Sequence, residues 1–123
     1  MGNTKLVWII LLVFMGRISA QDPYLQGDPS PKVEAEAKEL LQQYQPNLVM
    51  DSNQVLLFEK TLIEYLMRRE KIYVLDAPEK QKRYLLKKLD RYENGEMSNI
   101  LTRPQLRYYF KIKRQLQPAG ALL

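Results

Sequence analysis

Apolar residues return every three or four positions through most of this chain, and nowhere do they alternate as they would in a strand. In the first such stretch Val33, Ala37, Leu40, Leu41 and Tyr44 share one side, with Glu34, Glu36, Lys38 and Glu39 on the other. Ser30 suits the N-cap and Pro31 the first helical position. Pro46 is expected to stop this helix. A second, longer helix runs from Asp51 to about Leu75, and its apolar residues cover more than a narrow stripe, which predicts packing on two neighbours. Asp76, with Pro78 and Glu79 behind it, reads as the cap of a third helix that reaches Ile100. Asn94-Gly95 interrupts its pattern, but Leu85, Leu89, Tyr92 and Ile100 stay in phase, so one helix is expected rather than a hairpin. The last helix, from Arg103 to about Gln117, turns Leu106, Tyr109, Phe110, Ile112 and Leu116 inward, and Pro118 ends it. The expectation is an all-α fold: a four-helix antiparallel hairpin or bundle, with one helix short and three longer.

Two of these helix starts share a grammar. At the second, Thr102 is an N-cap whose hydroxyl accepts from the first turn, and Gln105 can reach back to the cap amide, completing a capping box. Leu101 and Leu106 flank it as a hydrophobic staple. At the first, Met50, Asp51, Gln54 and Val55 occupy the corresponding places. The chain thus carries a degenerate internal repeat of helix starts.

The first twenty residues differ from all of this. Met1 to Lys5 is short and carries one cation, Leu6 to Met15 is unbroken apolar sequence, and Ile18-Ser19-Ala20 ends in a small residue. That is a secretory signal pattern with cleavage expected after Ala20, and the apolar run is too short to span a bilayer. Gln21 to Ser30 reads as a flexible leader, residues 31–117 as one helical domain and 118–123 as a frayed tail. With Lys5 and Arg17 removed, the formal charge falls from +5 to +3. A periplasmic or secreted location makes nucleic acid an unexpected partner despite the basic balance.

Composition narrows the chemistry. There is no cysteine and no histidine, which excludes disulfide scaffolds, thiol nucleophiles, Cys/His zinc sites and Ser-His or Cys-His catalytic pairs. No pair of carboxylates stands at a spacing other than ordinary helix surface, so neither an enzyme nor a metal or cofactor site is expected. Charge is unevenly spread. From Lys60 onward cations outnumber acids about two to one, whereas from Gln21 to Glu59 acids prevail.

The run Asn99-Ile100-Leu101-Thr102-Arg103-Pro104-Gln105, preceded by Met50-Asp51-Ser52-Asn53-Gln54 and a signal pattern, resembles the Spy/CpxP family of small periplasmic helical proteins, which carry two Leu-Thr-x-x-Gln motifs. The second motif is complete; in the first, Met and Asp replace Leu and Thr. The resemblance covers roughly Lys32 to Leu116 and implies a non-enzymatic helical protein of the envelope-stress type. Family members act as ATP-independent chaperones, as adaptors that restrain a sensor kinase, or as metal-resistance sensors, and several form antiparallel dimers with a basic concave face. The absence of histidine points away from the metal-sensing branch. The stretch from Val55 to Ile100 is short for the long curved hairpin of Spy.

On this reading Met50, Asp51, Gln54, Leu101, Thr102 and Gln105 are helix caps that mark the family. The binding surface is expected on the basic helices, at Arg68, Arg69, Lys82, Arg83, Lys87, Lys88 and Arg91. The expected partners are proteins, either partly unfolded clients or one envelope sensor. A homodimer and peripheral contact with anionic membrane remain open.

Overall fold

The computed structural model describes residues 27–118, and the signal pattern, most of the leader and the last five residues lie outside the described residues. The described chain is all helical: α1 (Pro31–Leu48), α2 (Ser52–Tyr73), α3 (Glu79–Ile100) and α4 (Arg103–Leu116). The short helix is the last one. α2 packs on both α1 and α3, as its broad apolar surface predicts, and α4 closes the bundle against α1 and, less extensively, α3. α1 and α3 are therefore diagonal to each other.

Residues from every helix meet in one core. Val33, Ala37, Leu40, Leu41, Tyr44 and Leu48 of α1 pack with Phe58, Leu62 and Leu66 of α2, Met97 of α3, Leu101 between α3 and α4, and Tyr109 of α4. At its centre the rings of Tyr44, Phe58 and Tyr109 lie 5.2 to 5.8 Å apart, two of the three contacts edge-to-face. That geometry stabilises each pair by about 1 kcal/mol beyond area burial. Phe110, expected inward, is instead 37 % exposed, because Tyr109 takes the core-facing position beside it.

Helix boundaries depart from expectation at two places. Pro46 does not stop α1, which continues to Leu48. The ring faces solvent, Leu48 is buried at 2 % exposure, and the side-chain amide of Asn47 donates to the Gln43 carbonyl. Burial of Leu48 holds the last half-turn in place. Val49 then ends α1 in the left-handed region at φ 49°, its N–H donating to the Gln45 carbonyl. This is a conformation usually given to glycine, and a β-branched residue is strained in it. Asp76 does not cap α3. The helix begins at Glu79, the Pro78 carbonyl accepts from the Lys82 N–H, and no side chain caps it. Proline fixes its own φ and biases the residue before it toward extended backbone, so the helix starts after Pro78. Across Asn94-Gly95, α3 runs unbroken.

Candidate binding surface and the paired helix caps

Both repeated helix starts form complete capping boxes. The Gln54 N–H donates to Asp51 at 2.8 Å and the Asp51 N–H to Gln54 Oε1 at 3.0 Å. The Thr102 N–H donates to Gln105 Oε1 at 2.9 Å, while the Gln105 N–H reaches Thr102 Oγ1 at a longer 3.4 Å. Local spacing requires no more than this. The structure adds that the two boxes face each other. Gln54 Nε2 donates to Gln105 Oε1 at 2.8 Å and to the Ile100 carbonyl at 3.0 Å. In return Gln105 Nε2 donates to the carbonyls of Leu48 and Val49 at 3.0 and 3.2 Å and approaches Gln54 Oε1 at 3.3 Å. Each amide therefore closes its own helix and accepts or donates across to the chain entering the other one.

This arrangement explains the residue type. A glutamate would cap an isolated helix as well as a glutamine. Here the NH2 group is needed, because two carboxylates would meet each other and a set of carbonyl oxygens with no proton between them. Met50 and Leu101, each just before its cap, pack against the core on either side of the pair.

A second polar cluster lies inside the bundle, and it removes one residue from the expected binding surface. Arg69 of α2 is 8 % exposed and pairs with Asp90 and Glu93 of α3 at 3.6 and 3.3 Å. Lys113 of α4, at 4 % exposure, sits 2.6 Å from both carboxylates and donates to Asn94 Oδ1 at 2.7 Å. Arg69 is thus no surface residue: its guanidinium balances a fully buried glutamate. Two cations and two anions from three helices offset one another. Pairs of this kind gain little net stability over apolar packing, but removal of one member leaves a buried charge unpaired. Tyr109 Oη lies 3.4 Å from Glu93 Oε1, and Tyr44 Oη donates to Gln117 at 3.0 Å. Burial first, and the Glu93 carboxylate second, push both phenols well above the ordinary tyrosine range.

The remaining expected residues divide. Arg68 is half-buried, held by Glu64 at 2.7 Å and stacked over Tyr65 at 5.1 Å. Lys82 is half-buried too and donates to the Tyr73 carbonyl at 2.8 Å, tying the end of α2 to the start of α3. Arg83, Lys87, Lys88 and Arg91 are exposed, joined by Lys80 and by Tyr84 and Tyr92, themselves 59 % and 57 % exposed. The carboxylates of α3 beyond Glu79 are turned the other way. Asp90 and Glu93 enter the buried cluster, and Glu96 accepts from Tyr65 Oη at 2.9 Å. α3 therefore sorts its charge by side, cations out and anions in.

Scans against protein-family models, curated proteins and solved structures find no match to this chain.

The last helix carries cations left out of the expected binding surface; of those the sequence places away from the core, Lys113 is buried. Arg103, Arg107, Lys111 and Arg114 are all exposed, and α4 contains no carboxylate. The signal was available in that absence, because a helix with many cations and no acid has no partner of its own at the surface.

Proposed function

We propose that this chain is an exported, non-enzymatic binding protein that holds partly unfolded or envelope proteins, in the manner of the Spy/CpxP proteins it resembles. The observation that carries the reading is the outer side of α3: exposed Lys80, Arg83, Lys87, Lys88 and Arg91 interleaved with exposed Tyr84 and Tyr92, and no exposed carboxylate from Lys80 to Asn99. Cations attract acidic segments over several ångströms of solvent, while tyrosine supplies apolar area that tolerates many sequences. Such contact is weak per residue and adaptable, which suits clients without a fixed shape. The paired caps support the resemblance in a different way. They give both motifs one structural task, fixing where two helices enter the bundle, and leave binding to the surface.

The reading is tested by light scattering of an unfolding client protein without ATP. The chain is expected to suppress aggregation at modest molar excess, less well at high salt, and less well again with Lys87→Glu and Arg91→Glu combined. Absence of suppression at several-fold excess would refute it. Pull-down from an envelope extract distinguishes a general holder, which retains many proteins, from the partner of a single sensor, which retains one.

A further inference from the structure

We propose that the outer sides of α3 and α4 together form one surface that docks on an anionic lipid bilayer, with α1 turned toward solvent. The two sides adjoin. Asp90 and Asn94 of α3 line a cleft of about 450 Å³ with Phe110 and Arg114 of α4. The helices run antiparallel, so Arg83 and Lys87, seven and three residues before Asp90, lie toward one end of the cleft, and Arg103 and Arg107, the same distances before Phe110, lie toward the other. That spacing keeps them on the helix stripes that border the cleft. Cations of α3 and α4 thus border the two ends of the cleft, with Arg114 in its lining, and α4 has no carboxylate in its sequence to interrupt them.

The aromatic residues decide the kind of partner. Among the described residues, every exposed aromatic side chain is on these two helices: Tyr84, Tyr92, Tyr108 and Phe110. Tyr108 lines a cleft between α4 and α1, whereas Tyr84 and Tyr92 are each more than half exposed and stand out from the surface. A folded partner would have to offer a pocket for each. A headgroup layer is fluid, accepts protruding rings at its interface, and places anionic phosphates around them for Lys and Arg. The attachment is peripheral: among the described residues no helix is long and apolar enough to cross a membrane. α1, diagonal to α3, exposes Glu34, Glu36 and Glu39 beside Lys32 and Lys38, a slight acidic excess that favours the same orientation at a negative surface.

This inference does not depend on client holding, since either assay can succeed while the other fails. The full chain contains no cysteine, so a single fluorophore can be placed by Ser98→Cys on the outer side of α3 or by Ala35→Cys on α1. With vesicles containing phosphatidylglycerol, a water-soluble quencher is expected to lose access to the first label and keep access to the second. Phosphatidylcholine vesicles are expected to protect neither. Replacing Arg83, Lys87, Arg107 and Lys111 by glutamine is expected to weaken vesicle binding roughly fivefold per charge removed while the circular dichroism melting curve stays in place. Equal protection of both labels, the pattern expected if the N-terminal apolar run alone held the vesicle, would overturn the proposal. So would equal protection by neutral vesicles. Protection of the Ser98→Cys label by soluble polyglutamate but not by anionic vesicles would also overturn it and assign the surface to acidic proteins.

Discussion

Gln105→Glu separates a simple helix cap from an interlocked pair. Were Gln105 only the third residue of a capping box, the substitution would be close to neutral, because the remaining oxygen still accepts from the Thr102 N–H and a negative charge at a helix start is mildly favourable, by about 0.5 kcal/mol. The structure predicts otherwise. The lost NH2 group donates to the Leu48 and Val49 carbonyls and approaches Gln54 Oε1. Its two hydrogens contribute about 1 kcal/mol each, and leaving the part-buried Leu48 carbonyl without a donor adds about 1 kcal/mol more. After the favourable dipole is subtracted, the net loss is about 2.5 kcal/mol. For a domain of this size that lowers Tm by about 10 to 20 °C.

The deficit also depends on pH in a definite direction. The oxygen that replaces the NH2 group faces the Leu48 and Val49 carbonyls and Gln54 Oε1, which disfavour its charged form, so the folded pKa is expected above the unfolded value. Its protonated form can donate, so the variant is closest to wild type below the unfolded pKa of about 4.3 and falls behind as pH rises through the folded pKa. Urea or thermal denaturation followed by circular dichroism, at neutral pH and at pH about 4, measures both. A Gln105→Glu protein as stable as wild type at neutral pH, with no pH dependence in the difference, would refute the reasoning. Gln54→Glu should behave alike, and the double variant should lose more than the sum, since two carboxylates would then face each other.

Other substitutions follow from single residues. Val49→Gly relieves the left-handed strain at the end of α1 and should raise stability by about 1 kcal/mol in the same denaturation assay, whereas Val49→Ile should not. Gly95→Ala should stabilise by about 1 kcal/mol, because an added Cβ at this position meets nothing within 4 Å. Glu93→Gln should lower stability by about 3 to 5 kcal/mol by leaving buried Lys113 and Arg69 under-compensated; denaturation midpoints read this, and a change below 1 kcal/mol would count against the cluster. For the buried phenols, the folded pKa lies above the unfolded one, so the contribution of the neutral form is complete below about pH 10 and is lost as pH rises further. Ultraviolet difference absorbance should show the exposed Tyr84, Tyr92 and Tyr108 ionising in the native state and Tyr44 and Tyr109 ionising only with alkaline unfolding.

What was legible in the sequence was mostly local. Capping boxes at Asp51 and Thr102 follow from side chains three residues apart, and the phase of Leu85, Leu89 and Ile100 carries α3 through Gly95, although Tyr92, read with them, is 57 % exposed on the outer side. Pro46 misled because the burial of Leu48 outweighs the penalty of a solvent-facing proline in the last turn. Asp76 misled because capping propensity does not override the backbone around Pro78. The pairing of Gln54 with Gln105 was not legible, since nothing local brings together residues 51 apart. Nor was the buried cluster, whose members come from three helices and whose residue types are usually exposed. One clue was present. Glu93 stands four residues after Leu89 and four before Met97, inside the apolar stripe of α3, and a carboxylate there requires a cation to be buried with it.

The crossed amides also set an order of events for a chain made from its N-terminus. α1 and α2 carry most of the apolar core and can begin to pack as soon as both have emerged. The amide of Gln54, however, finds its two long-range partners only at Ile100 and Gln105, close to the far end of the domain. The entry to α2 therefore stays incompletely fixed until the first turn of α4 has been synthesised. Closure of the clasp is a late event, and a fragment truncated before Ile100 retains one capping box with the outward donors of Gln54 unanswered.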